Sequence, residues 1–115
     1  MAVDKSLLTG STTMLILKLL DGADMYGYQM IEELGKKSKN IFELKAGTLY
    51  PLLHTLEQKG MVVSYDKTAD SGRVRKYYSI TKAGRRHLIE KKKEWKTYMD
   101  AVNSVLGGAC FAATR

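Results

Sequence analysis

The stretch Leu44 to Gly60, LKAGTLYPLLHTLEQKG, limits what this chain can fold into more than any other. Leu49, Leu52, Leu53 and Leu56 fall at i, i+3, i+4 and i+7, which lines all four along one stripe of an α-helix. Gly60 stands just past the last apolar turn, where a left-handed C-cap ends a helix. The opposite face offers Lys45, Thr48, His54, Thr55 and Gln58, hydrogen-bonding side chains with few acids among them. Pro51 cannot donate to the ladder and its ring crowds the carbonyl of Gly47, so it belongs near the first turns, with some bend tolerated there. An ordinary surface helix has this pattern. So does a helix that enters the major groove of DNA, which accepts an apolar back and a short polar front. The flanking segments decide between the two.

A first helix spans Leu7 to Asp21, with Leu8, Leu15, Leu19 and Leu20 on one face, Thr9 or Ser11 as N-cap and Gly22 as stop. Met14, Ile16 and Leu17 make it apolar nearly all round, so it should be buried on more than one side, and in a chain this small the second side can be another subunit. Asp24 is placed to cap a second helix over about Met25 to Lys37. Ile31 and Leu34 face inward there, Glu32 and Glu33 outward, and Lys36 and Lys37 complement the C-terminal dipole. Tyr26 and Tyr28 stand in its first turn, where tyrosines more often pack than bind. Ile41, Phe42 and Leu44 pin the connector to the helix built on Leu49. Two helices joined in this way, the second with a polar front, predict a helix-turn-helix variant.

Met61 to Lys67 and Val74 to Ile80 alternate as strands, and TADSGR between them holds enough small polar residues for a hairpin turn. Arg73, Arg75 and Lys76 lie at the hairpin's end, with Arg73 and Arg75 on one side by period two. Thr81 caps a last helix, about Lys82 to Leu106. Leu88, Trp95, Met99, Val102 and Leu106 step along it by three and four if Lys92 fills the missing place. A seam that long needs a partner outside its own head: the same helix, or the first helix, of a second subunit. The expected fold is mainly α with a small β-hairpin. It comprises a winged helix-turn-helix over residues 1–80, a dimerisation helix over 81–107 and a flexible tail over 108–115.

The net charge of +7 is unevenly placed. Arg73 to Lys96 holds ten bases against Glu90 and Glu94, a balance of +8, while the rest of the chain holds nine bases and ten acids, a balance of −1. A solvated helix face can account for Lys91, Lys92 and Lys93, but a concentrated patch on a small domain is also the footprint of a polyanion binder. The longest apolar run, Met14 to Leu20, is broken by Lys18 and is too short to span a bilayer, so no membrane partner is expected. The first ten residues lack a signal peptide's apolar core, and the single Cys110 cannot form an internal disulfide, which fits a reducing cytoplasm.

With these residues in view, the chain resembles the short PadR-type transcriptional regulators that carry one C-terminal helix. MYGYQMIEEL at Met25 to Leu34, GTLYPLLHTLEQKGMV at Gly47 to Val62 and GRVRKYYSITKAG at Gly72 to Gly84 carry the resemblance. It implies a winged-helix homodimer that binds double-stranded operator DNA, usually as a repressor, and lets go on a small-molecule or stress signal. By that resemblance Tyr26, Thr48, Tyr50 and Pro51 match DNA-facing positions, and Arg73, Arg75 and Lys76 match the wing. Lys45 and His54 join them from the helix's own polar face. Leu8, Leu88, Trp95, Met99, Val102 and Leu106 form the expected dimer interface. Trp95 corresponds to the tryptophan that, in multidrug-binding members, pairs across the dimer axis to sandwich flat aromatic compounds. Met99 departs from those members, standing where an acid would help hold a cationic drug. Trp95 therefore either packs the dimer core or lines a slot for a planar aromatic effector.

An enzyme is not expected, because His54 and His87 lie on separate helices with no carboxylate pair, metal spacing, cofactor motif or phosphate loop beside them. A winged helix that binds protein instead of DNA is the rival, since this fold alone does not imply DNA binding. The charge balance separates the two, because a pure protein-interaction module has no need of +8 in the wing and the helix after it.

Overall fold

The computed structural model describes residues 5–107. The chain runs α1 (Lys5–Thr9), α2 (Thr12–Gly22), β1 (Met25–Tyr26), α3 (Gly27–Lys37), α4 (Ala46–Gln58), β2 (Val62–Thr68), β3 (Val74–Ile80) and α5 (Lys82–Val105). The sheet is antiparallel, in the order β1-β3-β2. The architecture is the mainly helical winged helix that the sequence predicts, with a third strand added to the hairpin. The expected tail at 108–115, with Cys110, lies outside the described residues.

Three local readings need correction. The first helix is broken in two, because the Ser11 N–H, the Ser11 hydroxyl and the Thr12 hydroxyl all bond back to the Leu8 carbonyl, at 3.0, 3.2 and 2.7 Å. Hydroxyls that compete for a ladder carbonyl beside Gly10 end the first segment. Ser11 takes the N-cap position of α2, although its side chain makes no capping bond. Asp24 does not cap α3. Met25 and Tyr26 pair with Tyr78 and Tyr77 as a short strand, and Tyr26 becomes the N-cap residue. The Asp24 carboxylate instead accepts the Tyr65 hydroxyl at 2.7 Å. Leu88 is no dimer-seam residue, because it is 4% exposed and fills the core of its own head.

α4 ends as its glycine predicts. Gly60 has φ +74°, its N–H reaches the Glu57 carbonyl at 3.0 Å, and the Met61 N–H reaches the Leu56 carbonyl at 2.9 Å. That pair of bonds is the Schellman motif, and Met61 packs back on the core. α3 ends the same way with the Asn40 N–H on the Gly35 carbonyl at 2.7 Å, but a lysine, Lys39, holds the left-handed position at φ +55°. α5 begins where the sequence places it. The Thr81 hydroxyl accepts the Gly84 N–H at 3.0 Å and donates to the Gly60 carbonyl at 2.6 Å, which ties the cap of α5 to the end of α4.

Ile16, Leu17, Met30, Leu49, Leu53 and Val62 are the largest fully buried side chains. Leu49 and Leu53 thus put the apolar back of α4 inside and leave its other side to solvent. Only the first part of α5 shares this core, through Gly84 and Leu88. The rest runs out beyond the head, and the molecule is accordingly 60 Å long and 21 Å thick.

Candidate nucleic-acid interface

Lys45, Thr48, Tyr50, Pro51 and His54 are all exposed on α4. Lys45 holds the N-cap position, and its carbonyl accepts the Thr48 and Leu49 N–H groups at 3.0 and 2.9 Å. Pro51 is the sixth helical residue, one turn beyond Gly47, so the donor it lacks is the one that carbonyl would have met. The helix continues through it, and the Pro51 carbonyl also accepts the Thr55 hydroxyl at 3.1 Å.

Tyr50 is held in place from two sides. Its ring meets Tyr28 edge-on at 6.5 Å, and it lies so close to Gly27 that a Cβ there would overlap the phenol. Burial pushes the Tyr50 pKa up, and the neighbouring Tyr28 and Tyr78 add to the shift, so its hydroxyl stays protonated at neutral pH and can both donate and accept. Tyr28 is 63% exposed beside it, a surface residue and not the packing residue its first-turn position suggests. Two tyrosines with a glycine between them carry a signal for this only once the first is known to be in a strand.

The wing cations are divided between its two faces. Tyr78 and Ile80 point into the core, so Lys76 shares their side and stands over the Tyr78 ring at 5.8 Å. Arg75 stands on the outer face, 4.4 Å above the ring of Tyr26. That ring belongs to a ladder across the sheet: Tyr26 meets Tyr77 edge-on at 5.5 Å, and Tyr77 stacks with Tyr65 at 5.8 Å. Lys67 caps the ladder 5.2 Å from Tyr77. The hydrogen bond to Asp24 raises the pKa of Tyr65 above its ordinary range. Tyr26 is therefore half-buried under Arg75. Arg73 is exposed in the turn, where its carbonyl accepts the Ala69 N–H at 2.8 Å.

A groove of about 730 Å³ runs between the head and α5, lined among others by Leu7, Met14, Leu52, Trp95, Met99 and Val102. Trp95 is 40% exposed there and tilts against Tyr98 at 6.0 Å. Leu8 is half-buried on α1, and Leu106 is 75% exposed at the far end of α5. His87 lines the groove while His54 lies on α4. Among the described residues no three His, Cys, Asp or Glu side chains gather to hold a metal, and no helix is long and apolar enough to cross a membrane.

Packed helices, one of them with its polar side outward, and a basic antiparallel wing define the winged-helix class of DNA-binding regulators. The chain belongs to the PadR-like family of transcriptional regulators, whose family profile matches residues 16–90. It is 36% identical over 90 residues to the transcriptional regulator Rv3488 of Mycobacterium tuberculosis, a match that covers 78% of each chain. A crystal structure of a PadR family transcriptional regulator from Eggerthella lenta superposes with a TM-score of 0.78 at 34% identity, covering 88% of this chain and 86% of that one. The structure of a transcriptional regulator from Clostridium thermocellum gives a TM-score of 0.80 at 29% identity, covering 86% and 96%. The matched profile stops at residue 90, so Trp95 and the second half of α5 lie beyond it.

Proposed function

We propose that this regulator is a homodimeric repressor that reads operator DNA with α4 and is released by a small-molecule or stress signal. The observation that carries the reading is the polar front of α4, where Thr48, Tyr50 and His54 stand exposed with Tyr28 beside Tyr50. Major-groove edges are read by such side chains, and wing cations hold phosphates without regard to sequence. The cytoplasm, where the DNA is, is the compartment this function requires.

The test is binding to a duplex selected from a random library, compared with random duplex, at two salt concentrations. Tyr50→Ala or Thr48→Ala should weaken the selected duplex by roughly tenfold, the range of about 1–3 kcal/mol for a base contact, and barely change random duplex. Arg73→Ala should weaken both alike and reduce the salt slope by about 0.9. No binding to either duplex at low salt would sink the proposal and leave a protein-interaction module.

Release is assigned to the Trp95 groove. Across a two-fold axis each indole would approach its mate, leaving room for a planar aromatic molecule between subunits. Such a molecule acts on DNA binding only if it prefers one spacing of the two heads. Trp95 is the sole tryptophan, so a panel of planar aromatics should quench its fluorescence, and the same compounds should shift DNA affinity. Absence of quenching across the panel would leave Trp95 as dimer packing alone.

A further inference from the structure

Of the ten bases between Arg73 and Lys96, three belong to the wing and seven stand on α5. Arg85 is paired with Asp21 at 3.3 Å, Lys91 with Glu94 at 3.1 Å and Lys96 with Asp100 at 2.8 Å. Lys82, Arg86, Lys92 and Lys93 are exposed, with no ion-pair partner among the described residues. At 3.6 residues per turn, Lys82, Arg86 and Lys93 fall within about 40° of one another, on the side of α5 opposite Leu88 and Trp95. They form a stripe about 16 Å long that points away from the core and the groove. α4 lines the groove with Leu52, Thr55 and Leu56, so the body of α5 stands between the stripe and α4.

This stripe works against the helix that carries it. No acid stands in the first turn of α5, so Lys82 meets the positive end of its dipole. Lys82 and Arg86 are like charges at i,i+4, and such a pair repels. Unpaired cations held at a cost to local stability are what a polyanion site retains.

We infer that the outward face of α5 is a second DNA surface, which takes the phosphate backbone of a duplex other than the one α4 reads. DNA is favoured over a lipid surface because Ile89 is the one large apolar side chain exposed within the stripe, too little for a helix lying in a bilayer interface. The inference rests on the proposed function only in that DNA is already the polyanion at hand. Each dimer would thereby bridge two duplexes, one read and one merely held.

The test is a bridging assay at low salt, with one random duplex on beads and a second, labelled random duplex in solution. The unaltered protein should retain the labelled duplex on the beads. The variant Lys82→Gln/Arg86→Gln/Lys93→Gln should retain at least about tenfold less, with its own binding to the bead duplex changed by less than about twofold. Lys18→Gln/Lys37→Gln/Lys39→Gln removes the same three charges elsewhere and should bridge as the unaltered protein does. Three outcomes overturn the inference: no retention by the unaltered protein, retention unchanged in the stripe variant, or equal loss of bead binding, which would merge the stripe with the first interface. Capture by anionic lipid vesicles but not by duplex would also overturn it, in favour of a membrane. Tyr50→Ala and Thr48→Ala read the α4 proposal separately, through preference for the selected duplex, so either reading can fail without the other.

Discussion

Replacing Gly84 with alanine should destabilise the chain by about 3 kcal/mol, as overpacking against rigid atoms does, and lower its melting temperature by roughly 10–20 °C. A Cβ at residue 84 would overlap the Met61 carbonyl and crowd Ile80. That carbonyl cannot move aside, because it accepts the Thr81 N–H at 3.0 Å while the Thr81 hydroxyl holds the Gly60 carbonyl and the Gly84 N–H. One junction therefore joins the end of α4, the start of β2 and the cap of α5, and Gly84 is what lets them meet. Gly47→Ala is the contrast, since a Cβ there meets open space in the first turns of α4. By propensity it should raise stability by about 0.5–1 kcal/mol. Thermal unfolding followed by circular dichroism measures both. A Gly84→Ala chain that melts with the unaltered one would mean that α5 can leave the junction without cost.

The core was legible because period and burial coincide. Leu49, Leu53 and Leu56 are buried where a 3.6-residue repeat places them, and Tyr78 and Ile80 where a two-residue repeat does. The helix end at Gly60 and the cap at Thr81 were legible because each is a local device that needs nothing from the rest of the chain. What stayed hidden depends on distant partners. Met25 and Tyr26 form a strand only because Tyr78 and Tyr77 offer an edge some fifty residues later in the chain. The exposure of Tyr28 beside Tyr50 follows from that pairing, as does the cover of Tyr26 by Arg75. Spacing alone put Leu88 in the seam, since a heptad cannot tell a core of its own head from one shared with a second subunit. The excess charge and its division between wing and α5 were legible, but which α5 cations are paired needed the folded positions of Asp21, Glu94 and Asp100.

Val102→Asp with Leu106→Asp should convert a dimer to a monomer while leaving the head folded. In the second half of α5, Tyr98 is 59%, Val105 87% and Leu106 75% exposed, an apolar surface that the chain itself does not cover. Leu7, 65% exposed, faces the same groove from α1. A second copy related by a two-fold axis offers α5 and α1 in return, and the isologous contact buries both sets at once. Two carboxylates forced into that contact cost several kcal/mol each unless they protonate or the interface opens. The substituted positions lie more than three turns beyond Leu88, so the core should hold and the far-ultraviolet spectrum should keep its helical shape. Leu88→Asp should behave differently, unfolding the head because it puts the charge into the buried core. Sedimentation equilibrium reads the association state, and DNA binding should fall with it, since two linked heads bind a two-fold site far more tightly than one. A monomeric unaltered protein would remove the dimer altogether, and a double variant that stays dimeric would place the interface away from the second half of α5.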